Sequence, residues 1–136
     1  VFEYHGAEHK TIACYEAGLP LTVENIRPQR RFHPRCGTSF LFLVVFISII
    51  VGSFISWDNP AIRMLLKLAL IPVVVGISYE LIKLAGRSDG VLTKIISAPG
   101  MWLQHITTCE PDDSQIECAI AALNAVIPED ENADRW

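Results

Sequence analysis

Apolar positions are not spread evenly along this chain; they crowd into its middle. Residues 39–57 run for nineteen positions without a charge, about the length a helix needs to cross a bilayer core of roughly 30 Å. Thr38 or Ser39 is placed to cap its start, and Trp57 stands where an interfacial aromatic belongs. A second apolar segment covers 61–84. Its cleanest stretch, 68–79, is bracketed by Arg63 and Lys67 before it and by Glu80 and Lys83 after it. Long cationic side chains can reach a membrane interface from such positions. Pro72 is expected to kink this helix. Asp58-Asn59-Pro60 reads as a tight turn, so the two segments predict a membrane helical hairpin. The alternatives are a re-entrant or interfacial second segment and, for the first, a buried helix in a soluble bundle. Uncharged length with β-branched bulk all round the first helix argues against the bundle.

The polar flanks predict further helices. Residues 3–17 lack proline, and Gly18 is placed as a helix stop. Gly6 costs that helix on the order of 1 kcal/mol against alanine. Residues 22–26 suggest a short helix, and 32–37 a loop by its proline and glycine. Residues 90–106 are amphipathic, with Leu92, Ile95, Ile96, Met101, Trp102, Leu103 and Ile106, and suit a membrane surface. Pro111-Asp112-Asp113 opens a last helix, since proline and acids suit the first turn. Along it Ile116, Ala119, Ile120, Leu123 and Ile127 make a packing face. The expected class is therefore all-α: a membrane helical hairpin with flanking cytoplasmic and interfacial helices. Four parts follow: 1–38, a cytoplasmic His/Cys motif region; 39–85, the transmembrane hairpin; 86–127, interfacial and C-terminal amphipathic helices; and 128–136, an acidic tail. The chain starts at Val1 with neither initiator methionine nor signal-peptide pattern, and so reads as a fragment or a processed chain.

Charge sets the orientation. Arg27, Arg30, Arg31 and Arg35 precede the first apolar run, and Lys83, Arg87 and Lys94 follow the second. The positive-inside rule then puts both ends of the chain in the cytoplasm, in a multi-pass arrangement. The net charge of −4 gives no basic surface for nucleic acid. In a reducing compartment the four cysteines are not expected to pair.

The candidate chemistry lies in His5-Gly6-Ala7-Glu8-His9. On a helix His5 and His9 share a face, and two imidazoles so placed can bind one metal ion. Glu8 flanks them as a possible general base, in the inverted order of the zinc-peptidase helix. His33-Pro34-Arg35-Cys36 adds a second pair in a turn just before the apolar run. One pair on a helix and one in a loop suits a tetrahedral site. Imidazole with thiolate favours zinc over magnesium or calcium, and Arg35 favours the thiolate. Glu3, Glu16 and Glu24 are carboxylates able to act as ligands or to orient a histidine. The competing reading leaves His5 and His9 as interfacial side chains of a polar helix. Cys14 is expected in the core, His105 at an interface, and Cys109 and Cys118 outside any site.

Four blocks of this sequence carry a resemblance. They are 2–11 (FEYHGAEHKT), 21–25 (LTVEN), 33–40 (HPRCGTSF), and 99–104 (PGMWLQ) followed by Thr107-Thr108 and 110–113 (EPDD). Together they resemble the YqhQ-like family of bacterial multi-pass membrane proteins, whose members are described as predicted metal-dependent enzymes. The resemblance implies the bacterial inner (cytoplasmic) membrane. It places His5, Glu8, His9, His33 and Cys36 in shared motifs without saying which of them bind metal. Members of the family carry a further N-terminal region with a glycine-containing motif and more apolar segments. At Cys109 and Cys118 the family pattern has a basic and an aliphatic residue.

Two functions follow as expectations. The first is a membrane-anchored, metal-dependent hydrolase in which His5 and His9 with His33 or Cys36 hold zinc and Glu8 acts on water. The second is a non-enzymatic scaffold or accessory factor in which His5, His9, His33 and Cys36 close a structural zinc site. The lipid bilayer is the expected partner in both, with a membrane-protein partner in the second. A transporter is disfavoured, since two spans are few and the first has no mid-membrane charge.

Overall fold

A computed structural model describes residues 1–56, 58–87 and 90–128. The expected interfacial role of Trp57 and the acidic tail beyond Pro128 lie outside the described residues. Among the described residues there are six helices and no strand: α1 (Phe2–Glu16), α2 (Val23–Ile26), α3 (Gly37–Ser53), α4 (Pro60–Arg87), α5 (Val91–Thr107) and α6 (Asp113–Asn124). The chain forms two compact units, one of residues 1–33 with the segment from Met101 onward, the other Pro34–Gly100.

In the first unit α1 packs on α6 and α2. Its centre is Ala7, Cys14, Ile26 and Ile116, with Leu21, Val23, Ala119 and Ile120 packed around them. Full burial of isoleucines such as Ile26 and Ile116 stabilises by about 1.5–3 kcal/mol each. Burial also pushes the Cys14 thiol above its ordinary pKa, which suits a packing role. The end of α1 is as the glycine predicts. Gly18 has φ +68°, its N–H reaches the Tyr15 carbonyl at 2.9 Å, and the Leu19 N–H reaches that of Cys14 at 3.2 Å. These two bonds make a Schellman turn, which glycine enters without Cβ strain.

The Thr22 side chain accepts from the Asn25 N–H at the start of α2. Helix α6 begins with a capping box: Asp112 accepts from the Gln115 N–H, and the Gln115 side chain accepts from the Asp112 N–H. The bonds from Ser114 and from the Gln115 backbone hold the Asp112 carboxyl below its ordinary value of 3.8. A carboxylate depressed in the folded state contributes stability above its unfolded pKa and loses it as pH falls through the folded one. Asp112→Ala is therefore expected to lower the urea midpoint at about pH 7. As pH falls through the folded value, the wild type should lose this advantage and converge on the variant. Equal midpoints at neutral pH would remove the cap from the account.

The second unit is built on the α3–α4 hairpin. Two sequence expectations change here. Cys36, not Thr38 or Ser39, is the N-cap of α3, its sulfur accepting from the Thr38 N–H at 3.4 Å. Helix α3 also stops at Ser53, giving a rise of only about 26 Å. The Ser53 hydroxyl donates back to the Ile50 carbonyl, and Gly52 stands just before it; both residues weaken the last turn. Among the described residues, the helix long and apolar enough to cross a membrane is in the second segment, Pro60–Ala85. It begins with the Asn59 side chain accepting from the Ala61 N–H at 2.9 Å and continues through Pro72 as one helix. Much of its apolar surface is exposed, including Leu65, Leu68, Ile71 and Val73.

Candidate metal centre

The histidine face of α1 forms as the spacing predicts. His5 and His9 have ring centroids 4.4 Å apart in an edge arrangement. Each is oriented through Nδ1. His5 Nδ1 donates to the Thr107 carbonyl at 2.7 Å, and His9 Nδ1 to the Arg31 carbonyl at 2.5 Å. A carbonyl oxygen can only accept, so Nδ1 carries the proton in both rings and Nε2 carries the lone pair. That is the tautomer a metal-ligating imidazole needs, fixed by a backbone partner.

The third imidazole joins them from the loop after α2. His33 lies 5.9 Å from His9, centroid to centroid. Its Nε2 donates to Glu16 Oε2 at 3.3 Å. Of the carboxylates considered from sequence, Glu16 thus orients a histidine, whereas Glu3 accepts from Gln115 Nε2 at 2.8 Å. The loop itself is clamped by Gln104 of α5. The His33 N–H donates to Gln104 Oε1 and Gln104 Nε2 donates to the His33 carbonyl, both at 2.8 Å. Gln104 is fully buried, so its amide replaces water for both backbone groups. Gln104 falls in a shared sequence block, but nothing in its local pattern assigns it this role.

Gly6 takes its meaning from the same neighbourhood. The Cys109 N–H donates to the Phe2 carbonyl at 2.8 Å, and the Cys109 carbonyl oxygen lies only 2.0 Å from where a Cβ on Gly6 would stand. The segment after α5 therefore lies against the bare backbone of α1, which brings the Thr107 carbonyl to His5. Lys10 ties the other side. Buried, it donates from Nζ to the Arg27 carbonyl at 2.8 Å and pairs with Glu110 at 2.6 Å.

Glu8 is exposed and lines a cavity of about 400 Å³ between α1 and α6, with Tyr4, Thr11, Ile12 and Leu123 among its neighbours. Cys36 belongs to the Pro34–Gly100 unit, where it is buried at the start of α3. His105 is exposed, with its ring 4.5 Å from that of Phe32. Cys109 and Cys118 are exposed free cysteines, and Cys14 is buried in the core.

Comparison with known proteins agrees with the resemblance of the sequence blocks. A family model described as "Protein of unknown function (DUF1385)" matches residues 1–129. The "Uncharacterized protein YqhQ" of Bacillus subtilis (strain 168) is 44% identical over 128 residues, covering 93% of this chain and 40% of that protein. The chain thus spans well under half the length of the curated relative it matches. No solved structure matches. With a model match over nearly its whole length and an identity of 44%, the chain belongs to the DUF1385, YqhQ-like family.

Proposed function

We propose that this chain carries the metal site of a membrane-anchored, zinc-dependent hydrolase. The observation that supports it most is the pair of backbone carbonyls on His5 and His9 Nδ1, which sets both Nε2 lone pairs as donors. Cys36, from the His-x2-Cys pairing of the sequence, would add a thiolate to these imidazoles, and imidazole with thiolate suits zinc. Cys36 follows His33 by three residues, so chain connectivity keeps it within about 10 Å of that loop. Bound there, zinc would supply Lewis acidity and make water more acidic.

His33 takes a different part. With Nε2 donating to Glu16, its lone pair lies on Nδ1, and the carboxylate stabilises the ring once protonated. A histidine backed by a carboxylate is suited to accept a proton from the attacking water and return it to the leaving group. This moves the proton-handling role from Glu8, on the α6 side of α1, to His33 with Glu16. Three ligands with one position for substrate favour the hydrolase over the closed structural site.

Membrane attachment is part of the proposal. Beyond the span of α4, one face of α5 exposes Val91, Ile95, Trp102 and Ile106, the pattern of a helix lying in a headgroup layer. The basic residues before α3, in the last turns of α4 and beyond it favour the cytoplasmic side for the site.

Metal analysis of the full chain, purified without chelator, tests this reading, together with a panel of ester, amide and phosphoester substrates. Wild type should hold about one zinc per chain. His9→Ala and Cys36→Ser should lose it, falling at least tenfold in zinc affinity. Glu16→Gln should keep zinc and lose hydrolysis about 100-fold, while Glu8→Gln keeps both. Zinc-free wild type would overturn the metal reading. Zinc retained in Cys36→Ser would remove that ligand, and full activity in Glu16→Gln would leave a structural site.

A further inference from the structure

The α3–α4 hairpin holds a cleft of about 700 Å³, lined among others by Val44, Ile49, Leu68, Ile71 and Val74. That volume is within the range of small-molecule sites. Its lining is almost wholly apolar in effect. The hydroxyls of Ser48 and Ser53 donate back to the carbonyls of Val45 and Ile50, at 2.7 and 2.6 Å, and so offer no donor to a ligand. Among the described residues, the one charged side chain that lines the cleft is Lys67. Its stem runs across α3 at Gly52, where an added Cβ would lie 3.6 Å from Cε and 3.8 Å from Nζ. Among the described residues no ion pair or hydrogen bond engages its ammonium.

We propose that this cleft is a binding site for an anionic membrane phospholipid, with its phosphate at Lys67 and an acyl chain along the α3–α4 seam. The inference rests on the reading of α4 as a membrane span. An ammonium seven residues into such a helix cannot remain without a counter-charge or water at low cost. A lipid phosphate is the anion abundant at that depth, and the apolar cleft below fits the chain attached to it. Charge complementarity selects an acidic headgroup over a zwitterionic one.

The test has two stages. The full chain is first mixed with neutral phosphatidylcholine vesicles and floated on a density gradient. Retention of phosphatidylglycerol against phosphatidylcholine is then measured on detergent-purified protein by native mass spectrometry, for wild type, Lys67→Gln and Lys67→Arg. Wild type should float, and should retain phosphatidylglycerol roughly five-fold better than Lys67→Gln. Lys67→Arg should keep the preference. Lys67 is exposed, so neither variant is expected to disturb the fold, and far-ultraviolet circular dichroism checks this. Failure to float would overturn the membrane reading and the lipid site with it. A protein that floats but shows no headgroup preference, or a Lys67→Gln variant that keeps it, would overturn the lipid site alone.

Discussion

Gly6→Ala is expected to destabilise the first unit, although alanine is the better helix former. Intrinsic propensity favours alanine by about 1 kcal/mol. Against this, the new methyl would meet the Cys109 carbonyl oxygen at 2.0 Å. The obstacle is backbone, held by the Cys109 N–H bond to the Phe2 carbonyl, so it cannot swing aside as a flexible side chain would. Overpacking of this kind costs on the order of 3 kcal/mol, for a net loss of about 2 kcal/mol and a fall of roughly 10 °C in thermal midpoint. The Thr107 carbonyl would be pushed from His5 Nδ1, so zinc affinity should fall as well. Thermal melts followed by circular dichroism, with zinc titration beside them, decide the matter. A variant as stable as wild type would mean that the segment after α5 does not lie so close to α1.

Gln104→Leu should be costlier still. The shape is nearly kept, but the His33 N–H and C=O lose their partners in a buried place. Each unsatisfied group costs about 1–3 kcal/mol, so a loss of about 4 kcal/mol is expected. Urea unfolding of wild type and the variant gives the comparison. If leucine is tolerated within about 0.5 kcal/mol, the clamp does not hold the loop.

The helices were legible because each is written in nearby residues. Gly18 ends α1, Thr22 caps α2, and Asp112 with Gln115 opens α6, all over a reach of three to five positions. The pairing of His5 with His9 was legible for the same reason. The boundary errors were local contests that propensity does not settle. A cysteine took the cap of α3 ahead of a threonine and a serine, and a Gly-Ser pair ended that helix early. What could not be read was the support of the site. Gln104 meets His33 across 71 positions and Thr107 meets His5 across 102. No periodicity encodes such contacts. Gly6 shows the limit best: by propensity it is a defect in α1, and by packing it is the reason α1 can meet Cys109.

The bond from His5 to the Thr107 carbonyl also bears on the order in which the molecule is made. His5 is made before the whole of Pro34–Gly100, and its partner only after it. Until then the imidazole lacks that carbonyl to choose its tautomer, and closing so long a loop is slow. A nascent chain halted after α4 would carry both histidines of α1 yet hold metal weakly. If zinc binds there as proposed, loading would come late, once the hairpin has been synthesised.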